Sequence, residues 1–295
     1  MDGRPNLGFV GLGTMGSRVA GRLLSAGHTV YGFNRTASKA GPLVERGLIL
    51  CETPRAVAEA ADIVFSMVTD GRALNEVAAR ADGILAGLGP GKTYIDLSTV
   101  SPQASTQLAE RVRSTGAWML DAPVSGSVPA VEAGTLMIVV GGDRDVFESV
   151  LPVLQELGQN VRHVGPNGHG LLLKLAINIS LGVQMLAFSE GVLLAEKAGI
   201  ARSLAVEVIT GSAIGSPMLQ SRGPLVVDAP DDAWFDVELM HKDLMLALAT
   251  GAELETPLPS TAITNELFNA ARAMGYAQSD IASVFDVLSE MAGTP

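Results

Sequence analysis

The sequence predicts a doubly wound α/β domain over residues 1–165, followed by an all-helical domain over residues 166–295. Three observations support this fold class. Short apolar runs alternate with helical patterns in the first half, which is typical of a mainly parallel sheet. A glycine-rich turn follows the first apolar run. Beyond residue 165 no strand pattern appears, and one proline-free helical stretch extends from Gly170 to Gly199.

Strand and helix patterns follow one another in the first domain. The predicted strands are Leu7–Val10, Thr29–Phe33, Asp62–Val68, Thr93–Leu97, Ala117–Asp121 and Thr135–Val140, with shorter ones at Leu48–Leu50 and Val161–Val164. The predicted helices cover residues 15–26, 36–45, 54–60, 72–79, 102–114 and 144–157. Because helices connect the strands, each crossover between parallel strands is expected to be right-handed.

The second domain is predicted to begin with a long interdomain helix. Thirty residues of helix would measure about 45 Å at the α-helical rise per residue. Further helical patterns follow at Ser203–Thr210, Pro217–Ser221, Val237–Gly251, Pro259–Met274 and Ser279–Leu288. Met and Leu are plentiful in these helices, and such a surface is suited to burial against a second copy of the chain. We therefore expect a homodimer or homotetramer.

Composition excludes several classes of protein and site. A net charge of −11 argues against a nucleic-acid partner, which would require a basic face. The single cysteine, Cys51, excludes an intrachain disulfide and a cysteine-rich zinc site, and it favours a reducing compartment. The histidines show no spacing typical of a metal site, so no metal is expected.

Neither export nor membrane insertion is expected. The N-terminal residues contain no apolar signal core. The longest apolar stretch, Leu171 to Leu194, is interrupted by Lys174, Asn178, Gln184 and Glu190, so no uncharged segment reaches the length of a membrane span. We therefore expect a cytoplasmic protein.

The turn after the first strand has the spacing of a dinucleotide-binding motif. It reads Gly11-Leu12-Gly13-Thr14-Met15-Gly16. Gly11 permits a tight turn, Gly13 lets the backbone approach a pyrophosphate, and Gly16 lets the helix pack on the strand. The N-terminus of that helix offers unpaired N–H groups to the anion. This context predicts a dinucleotide site, and the alternative is a glycine-rich turn beside an unused crevice.

The end of the second strand favours NADP(H) over NAD(H). NAD sites tend to place Asp or Glu there, where it binds the ribose 2′-hydroxyl. This chain instead has the neutral Asn34, followed by Arg35 and Thr36. A guanidinium can bind a 2′-phosphate with two hydrogen bonds and stack on adenine. The alternative is that Arg35 is an ordinary solvated residue and Thr36 caps the next helix.

Two polar residues in the long helix are candidates for chemistry. Lys174 and Asn178 are one helical turn apart and therefore lie on one face. Burial of a lysine is costly unless it is paired or used, and burial lowers its pKa toward the range of a general acid or base. The alternative is a lysine whose ammonium reaches solvent, beside an amide that binds the backbone.

The segment Ser125-Gly126-Ser127 is the candidate substrate loop. It is predicted to be a turn after a strand, where N–H groups and hydroxyls could bind a carboxylate. An ordinary β-turn is the alternative, and the local pattern alone favours it.

Taken together, the motifs resemble those of the β-hydroxyacid dehydrogenases, which include 3-hydroxyisobutyrate dehydrogenase, tartronate semialdehyde reductase and the glyoxylate/succinic semialdehyde reductases. The resemblance spans nearly the whole chain. It is carried by Gly8 to Gly16, Asp96-Leu97-Ser98-Thr99, Asp121 to Gly126 with Gly134-Thr135-Leu136, Gly170-x-x-x-Lys174-x-x-x-Asn178, and Lys242-Asp243-Leu244.

The resemblance implies roles for individual residues. Lys174 matches the catalytic lysine of the family, and Asn178 matches the residue that positions the substrate. Ser125 and Gly126 match the loop that binds the substrate carboxylate, whereas Ser127 stands where a second glycine is usual. The remaining matches are to residues around the cofactor and active site, namely Val68, Thr69, Thr99, Phe235, Lys242 and Asp243.

The function that the resemblance implies is NADPH-dependent, reversible reduction of a small carboxylate-bearing carbonyl compound, with Lys174 as proton donor. Two alternatives stay open. An imine reductase shares this architecture, and the apolar Leu171–Leu173 run suits it, although Lys174 argues against it. A non-catalytic NADP-binding module is the other, and the presence of both Lys174 and Asn178 argues against that.

Overall fold

The computed structural model describes residues 4–293, and its contacts divide the chain into two units between Lys174 and Leu175. The strands of the first unit are β1 (Leu7–Val10), β2 (Val30–Phe33), β3 (Ile49–Leu50), β4 (Ile63–Ser66), β5 (Thr93–Asp96), β6 (Trp118–Asp121), β7 (Val124–Ser125), β8 (Met137–Gly142) and β9 (Asn160–Gly165). Its helices are α1 (Thr14–Ser25), α2 (Gly41–Val44), α3 (Pro54–Ala60), α4 (Gly71–Ala79), α5 (Ile84–Gly87), α6 (Pro102–Ser114), α7 (Val128–Ala133) and α8 (Arg144–Gln155).

The long helix α9 (His169–Lys197) continues from the first unit into the second. The second unit adds α10 (Arg202–Gly211), α11 (Pro217–Arg222), α12 (Val237–Glu253), α13 (Pro259–Ala273) and α14 (Val284–Met291). Short 3₁₀ helices lie at Ala37–Ala40, Gly223–Val226 and Ile281–Ser283. The fold class is confirmed as an α/β domain followed by an all-helical one. The domain boundary at residues 165 and 166 stays a prediction.

The sheet has the order β3-β2-β1-β4-β5-β6-β8-β7, with β9 beside β8. Strands β3 to β6 in this order are all parallel, whereas β8 runs antiparallel to β6 and β7 and parallel to β9. All eight predicted strands are present. The antiparallel direction of β8, the short strand β7 and the short helices α5 and α7 were not predicted from the sequence.

Alternation along the central strands fills a core on each face of the sheet. Leu7 and Phe9 of β1 belong to one apolar cluster, and Val10 belongs to another. Phe65 and Val64 of β4 divide in the same way. Successive side chains of a strand point to opposite faces, so helices must cover both. Because these strands are parallel, their carboxyl ends lie at the same edge of the sheet, and loops with polar residues follow there.

By length and composition, α9 is apolar enough to cross a membrane. Its apolar side chains are partly buried by protein, with 44% of its most apolar 18-residue segment buried. Leu171 belongs to a core cluster of the first unit, and Met185, Phe188 and Val192 belong to the core of the second. Packing within the two units therefore accounts for part of its apolar composition, whereas Leu173 and Leu194 are exposed.

Candidate active site

The glycine turn between β1 and α1 has three glycines with three different surroundings. A Cβ at Gly11 would overlap the carbonyl oxygen of Met67, and φ there is +98°. A Cβ at Gly16 would overlap the Gly11 carbonyl oxygen. A Cβ at Gly13 would meet nothing within 4 Å. Gly11 and Gly16 are therefore required by the fold itself, whereas the space beside Gly13 is open for a ligand.

The start of α1 fits an anion. Gly13 is its N-cap residue and provides no side-chain acceptor, and the first turn contains no acidic residue. Unpaired N–H groups and the helix dipole therefore face the open space beside Gly13. Leu12, Thr14 and Met15 complete the turn. These features fit the pyrophosphate of a dinucleotide.

A pair of alanine substitutions separates the two roles of these glycines. We expect Gly16→Ala to lower the free energy of unfolding by about 1–3 kcal/mol, the usual cost of forcing an atom into packed structure. Gly13→Ala is expected to fold with wild-type stability, since its φ of −76° suits alanine. It should nevertheless weaken dinucleotide binding by about tenfold or more, because its methyl group occupies the approach path of the pyrophosphate.

Thermal unfolding and titration with NADPH and with NADH measure the two effects. Unchanged binding by Gly13→Ala would contradict the assignment of this open space to the cofactor.

The residues after β2 lie beside the glycine turn. The Leu12 N–H donates to Asn34 Oδ1 at 3.0 Å, and Asn34 Nδ2 donates to the Thr36 carbonyl oxygen at 2.9 Å. Arg35 and Thr36 are exposed. Thr36 precedes the 3₁₀ helix at Ala37–Ala40, but its side chain makes no cap hydrogen bond there. Asn34 therefore fixes the loop, and the Arg35 and Thr36 side chains face solvent.

A buried hydrogen-bond network links the loops after β4 and β5. The Val68 N–H donates to Ser98 Oγ at 2.9 Å, and Ser98 Oγ donates to Asp96 Oδ1 at 2.6 Å. Ser66 Oγ donates to the same carboxylate oxygen at 2.6 Å. Burial raises the pKa of Asp96 to about 6, although these hydrogen bonds oppose the shift. Asp96 and Ser98 belong to a motif of the sequence, but no local pattern predicts a role for them.

Asp121, at the end of β6, holds the start of α9. Its Oδ1 accepts the Gly168 N–H at 2.7 Å, and its Oδ2 accepts the Leu171 N–H at 3.2 Å. A carboxylate at a helix N-terminus is favourable because it satisfies unpaired N–H groups and complements the dipole. Burial is the largest influence on the Asp121 carboxyl and raises its pKa. Gly170 is needed here, since a Cβ would lie 2.7 Å from the Asp121 and Val139 carbonyl oxygens.

Lys174 and Asn178 follow this anchored helix end, one turn apart. Lys174 is half-buried and Asn178 is 1% exposed. Asn178 Nδ2 donates to Asp243 Oδ2 at 2.6 Å, and Lys242 Nζ lies 3.1 Å from Asp243 Oδ1. Among the described residues, Asn178 Oδ1 accepts no hydrogen bond although it is buried. The Asp243 contact therefore fixes the amide, so that its oxygen points away from Asp243.

The candidate substrate loop begins at the end of β7. Ser125 pairs with Met137 in the sheet, and Gly126 has φ of +130°. A Cβ at Gly126 would lie 2.8 Å from the Ala130 side chain, so a larger residue is excluded. Ser127 is the N-cap residue of α7, yet its side chain makes no cap hydrogen bond. The two hydroxyls are thus held on a constrained turn and are only partly buried.

Phe235 lies on the loop before α12, and a buried ion pair that the sequence did not predict holds this loop in place. Both oxygens of Asp280 accept Arg222 Nη1 at 2.8 Å, and Asp280 Oδ2 accepts the N–H groups of Trp234 and Phe235 at 2.9 and 3.2 Å. Arg222 and Asp280 are almost completely buried. This ion pair fixes the segment that leads into α12, where Lys242 lies. No local pattern marks Asp280 or Arg222, because they are far apart in the sequence.

Within residues 4–293, no cluster of His, Cys, Asp or Glu is arranged to bind a metal. Two of the four histidines contact groups within the first unit. His28 Nε2 lies 2.9 Å from Glu156 Oε2, and His163 Nε2 lies 2.8 Å from the Gly142 carbonyl oxygen. These contacts give His28 and His163 structural roles.

Comparisons with known proteins agree with this arrangement. The family model of the NAD-binding domain of 6-phosphogluconate dehydrogenase matches residues 6–165. The model described as the NAD-binding part of NADP-dependent 3-hydroxyisobutyrate dehydrogenase matches residues 168–288. Together the two models cover nearly the whole chain.

Similar proteins include 2-hydroxy-3-oxopropionate reductase of Escherichia coli (strain K12), 38% identical over 97% of this chain and 98% of its own. Glyoxylate/succinic semialdehyde reductase 2, chloroplastic, of Arabidopsis thaliana is 35% identical over 97% of this chain and 80% of its own. The solved structure of Mycobacterium tuberculosis 3-hydroxyisobutyrate dehydrogenase with L-serine is 30% identical, with a TM-score of 0.85 over 96% of this chain and 99% of its own.

Imine reductases are more distant. The Myxococcus stipitatus enzyme in complex with NADP+ is 22% identical, with a TM-score of 0.66 over 96% of this chain and 100% of its own, which shows a shared fold alone. The chain is thus an oxidoreductase with an NAD(P)-binding Rossmann domain. From its two family matches and its full-length relatives, it belongs to the β-hydroxyacid dehydrogenase family.

Proposed function

We propose that the protein uses NADPH to reduce a small semialdehyde or 2-oxo acid to the corresponding hydroxy acid, reversibly, with Lys174 as the proton donor. One observation carries the proposal. The helix that bears Lys174 and Asn178 starts on Asp121, at the same sheet edge as the loops after β1, β4 and β5. The relatives named above are reductases and dehydrogenases of small hydroxy and oxo acids.

The reaction needs a hydride at the carbonyl carbon and a proton at the carbonyl oxygen. Bound NADPH supplies the hydride. Lys174, as an ammonium, gives a proton to the oxygen as the C=O π bond breaks, which stabilises the developing alkoxide. The lysine is left neutral and regains a proton from solvent. In the oxidation direction, neutral Lys174 removes the hydroxyl proton.

Asn178 orients the substrate in this proposal. One N–H of its Nδ2 is used on Asp243, and among the described residues its buried Oδ1 accepts no hydrogen bond, so Oδ1 can accept one from the hydroxyl of the hydroxy acid. Lys242 lies beside Asp243 and balances its charge. Because Asn178 Oδ1 is held in position before the substrate binds, less entropy is lost in aligning the substrate for reaction.

The turn Ser125–Ser127 binds the substrate carboxylate in this proposal. Both hydroxyls lie on a turn whose conformation the glycine between them determines. Hydroxyl and N–H donors bind a carboxylate without adding a full positive charge. Ser127 adds a hydroxyl where the family pattern has a glycine, which favours substrates with a second polar group.

We also assign the cofactor contacts as proposals. Val68, Thr69 and Thr99 lie after β4 and β5, whereas Phe235 lies in the second unit. The exposed apolar side chains of the second unit favour self-association into a homodimer or homotetramer; they include Leu194, Val208, Ile214 and Ile263. A cytoplasmic location stays a prediction.

Arg35 is expected to determine the preference for NADPH. Asn34 is neutral and would not repel the 2′-phosphate on the adenosine ribose of NADPH. Arg35, the next residue in the chain, is exposed and can bind that phosphate. Arg35→Ala should weaken NADPH binding by about 10- to 100-fold, the value of a charge-assisted hydrogen bond, and should leave NADH binding unchanged. Lys39→Ala removes another exposed cation nearby and serves as the control. Equal losses for the two cofactors would contradict a 2′-phosphate contact.

The activity test follows loss of NADPH absorbance with a panel of small carbonyl acids and cyclic imines, with NADH in parallel. Turnover of glyoxylate or a semialdehyde, with preference for NADPH, is the expected result. Turnover of imines alone would refute the proposed substrate class. NADPH binding with no turnover of any carbonyl acid would refute the reductase and favour a binding module.

A further inference from the structure

We propose that Asp96 and Ser98 form a positioning pair, which holds the loop after β4 in the shape that binds the cofactor. Neither residue is expected to touch the substrate. The inference rests on the proposed NADPH-dependent function, and it adds residues to the cofactor site that act through the backbone of Val68.

The direction of each hydrogen bond in the network follows from the fact that each hydroxyl has one hydrogen to donate. Ser98 Oγ and Ser66 Oγ each use their one hydrogen on Asp96 Oδ1. Ser98 Oγ must then receive the Val68 N–H as an acceptor. Ser66 Oγ must likewise accept from Tyr94 OH, 2.7 Å away. Both serine hydroxyls are therefore oriented toward a single carboxylate oxygen, and the Tyr94 hydroxyl is oriented toward Ser66.

Asp96 fixes two loops through that oxygen. It accepts the Ser98 N–H at 3.2 Å, which turns the chain immediately after β5 toward Thr99. Through the Ser98 hydroxyl it also holds Val68, which follows Met67 in the loop after β4. The same β4 loop packs against the glycine turn, since a Cβ at Gly11 would lie 3.2 Å from Val68 Cγ1. The pair therefore connects three loops that we assign to the cofactor.

Burial of the Asp96 carboxylate costs free energy of folding. Asp96 is completely buried, and among the described residues its Oδ2 has no hydrogen-bond partner. Asp121 is its register partner on β6, and a second carboxylate there adds repulsion. A hydrophobic residue would avoid both penalties, so stability alone does not explain an acidic residue here. Control of the two loops provides a reason for it.

Two serine variants form a matched test. Ser98→Ala and Ser66→Ala each remove one hydroxyl from Asp96 Oδ1, but only Ser98 accepts the Val68 N–H. We expect Ser98→Ala to weaken NADPH binding by about tenfold, as for loss of one buried acceptor. Its kcat at saturating NADPH should stay near the wild-type value. Ser66→Ala should bind NADPH as the wild type does.

Two further readouts address Asp96 and the position of the loop. Asp96→Ala should weaken NADPH binding as Ser98→Ala does, and Asp96→Asn should restore it, because its amide oxygen can still accept both hydroxyls. In the cofactor-free protein, the Val68 amide hydrogen should exchange faster in Ser98→Ala than in Ser66→Ala. This measurement needs neither activity nor bound nucleotide.

The outcomes are distinct. Wild-type NADPH affinity in Ser98→Ala, or equal losses in both serine variants, would overturn the positioning role. Unchanged exchange at Val68 in Ser98→Ala would overturn it independently of any cofactor. If the wild-type protein bound no NADPH, the proposed function would fail, whereas the exchange experiment would still report on the loop.

Discussion

Lys174→Ala is expected to lower kcat by about 10²- to 10⁴-fold, the range for loss of a general acid or base. The loss is expected because the variant lacks the ammonium that we propose protonates the developing alkoxide. NADPH binding should be unchanged, since the glycine turn and the loop after β2 lie on other elements. Initial rates and NADPH titration of the same preparation measure the two quantities.

A lysine at the far end of the same helix provides the control. Lys197 Nζ donates to the Ala292 carbonyl oxygen at 3.0 Å, far along α9 from Lys174. Lys197→Ala should have a kcat near that of the wild type. Near-normal turnover by Lys174→Ala, with normal thermal unfolding, would remove Lys174 from the catalytic role.

Asp280→Ala is expected to lower the free energy of unfolding of the second unit by about 3–5 kcal/mol, the usual cost of breaking a buried ion pair. The substitution leaves the buried Arg222 guanidinium without its carboxylate. It also leaves the Trp234 and Phe235 N–H groups without their acceptor. Urea unfolding followed by tryptophan fluorescence measures the change, since Trp234 lies at the ion pair.

An exposed aspartate on the same loop is the matched control. Asp232→Ala should change the free energy of unfolding by less than about 0.5 kcal/mol, as for most surface substitutions. Asp280→Asn keeps the shape of the side chain and one acceptor oxygen, so it should lower the free energy of unfolding by less than Asp280→Ala does. Equal stability of Asp280→Ala and Asp232→Ala would show that the ion pair does not hold the Phe235 segment.

Much of the fold could be predicted because its signals are local. The strand patterns and the glycine spacing each occupy a few consecutive residues, and the structure has β1, the turn and α1 at the predicted positions. The 29-residue helix α9 was predictable for the same reason. No proline, which would break a helix, interrupts its 29 residues.

Local sequence patterns were enough to predict the α/β-then-helical architecture, the dinucleotide turn and the placement of Lys174 and Asn178 on one helical face. Tertiary structure decided the direction of β8 and the partners of the polar residues. Asp96 meets Ser66 across 30 residues, Asn178 meets Asp243 across 65, and Arg222 meets Asp280 across 58. Periodicity fixes which face a residue lies on, but the partner of a buried charge depends on how distant segments pack.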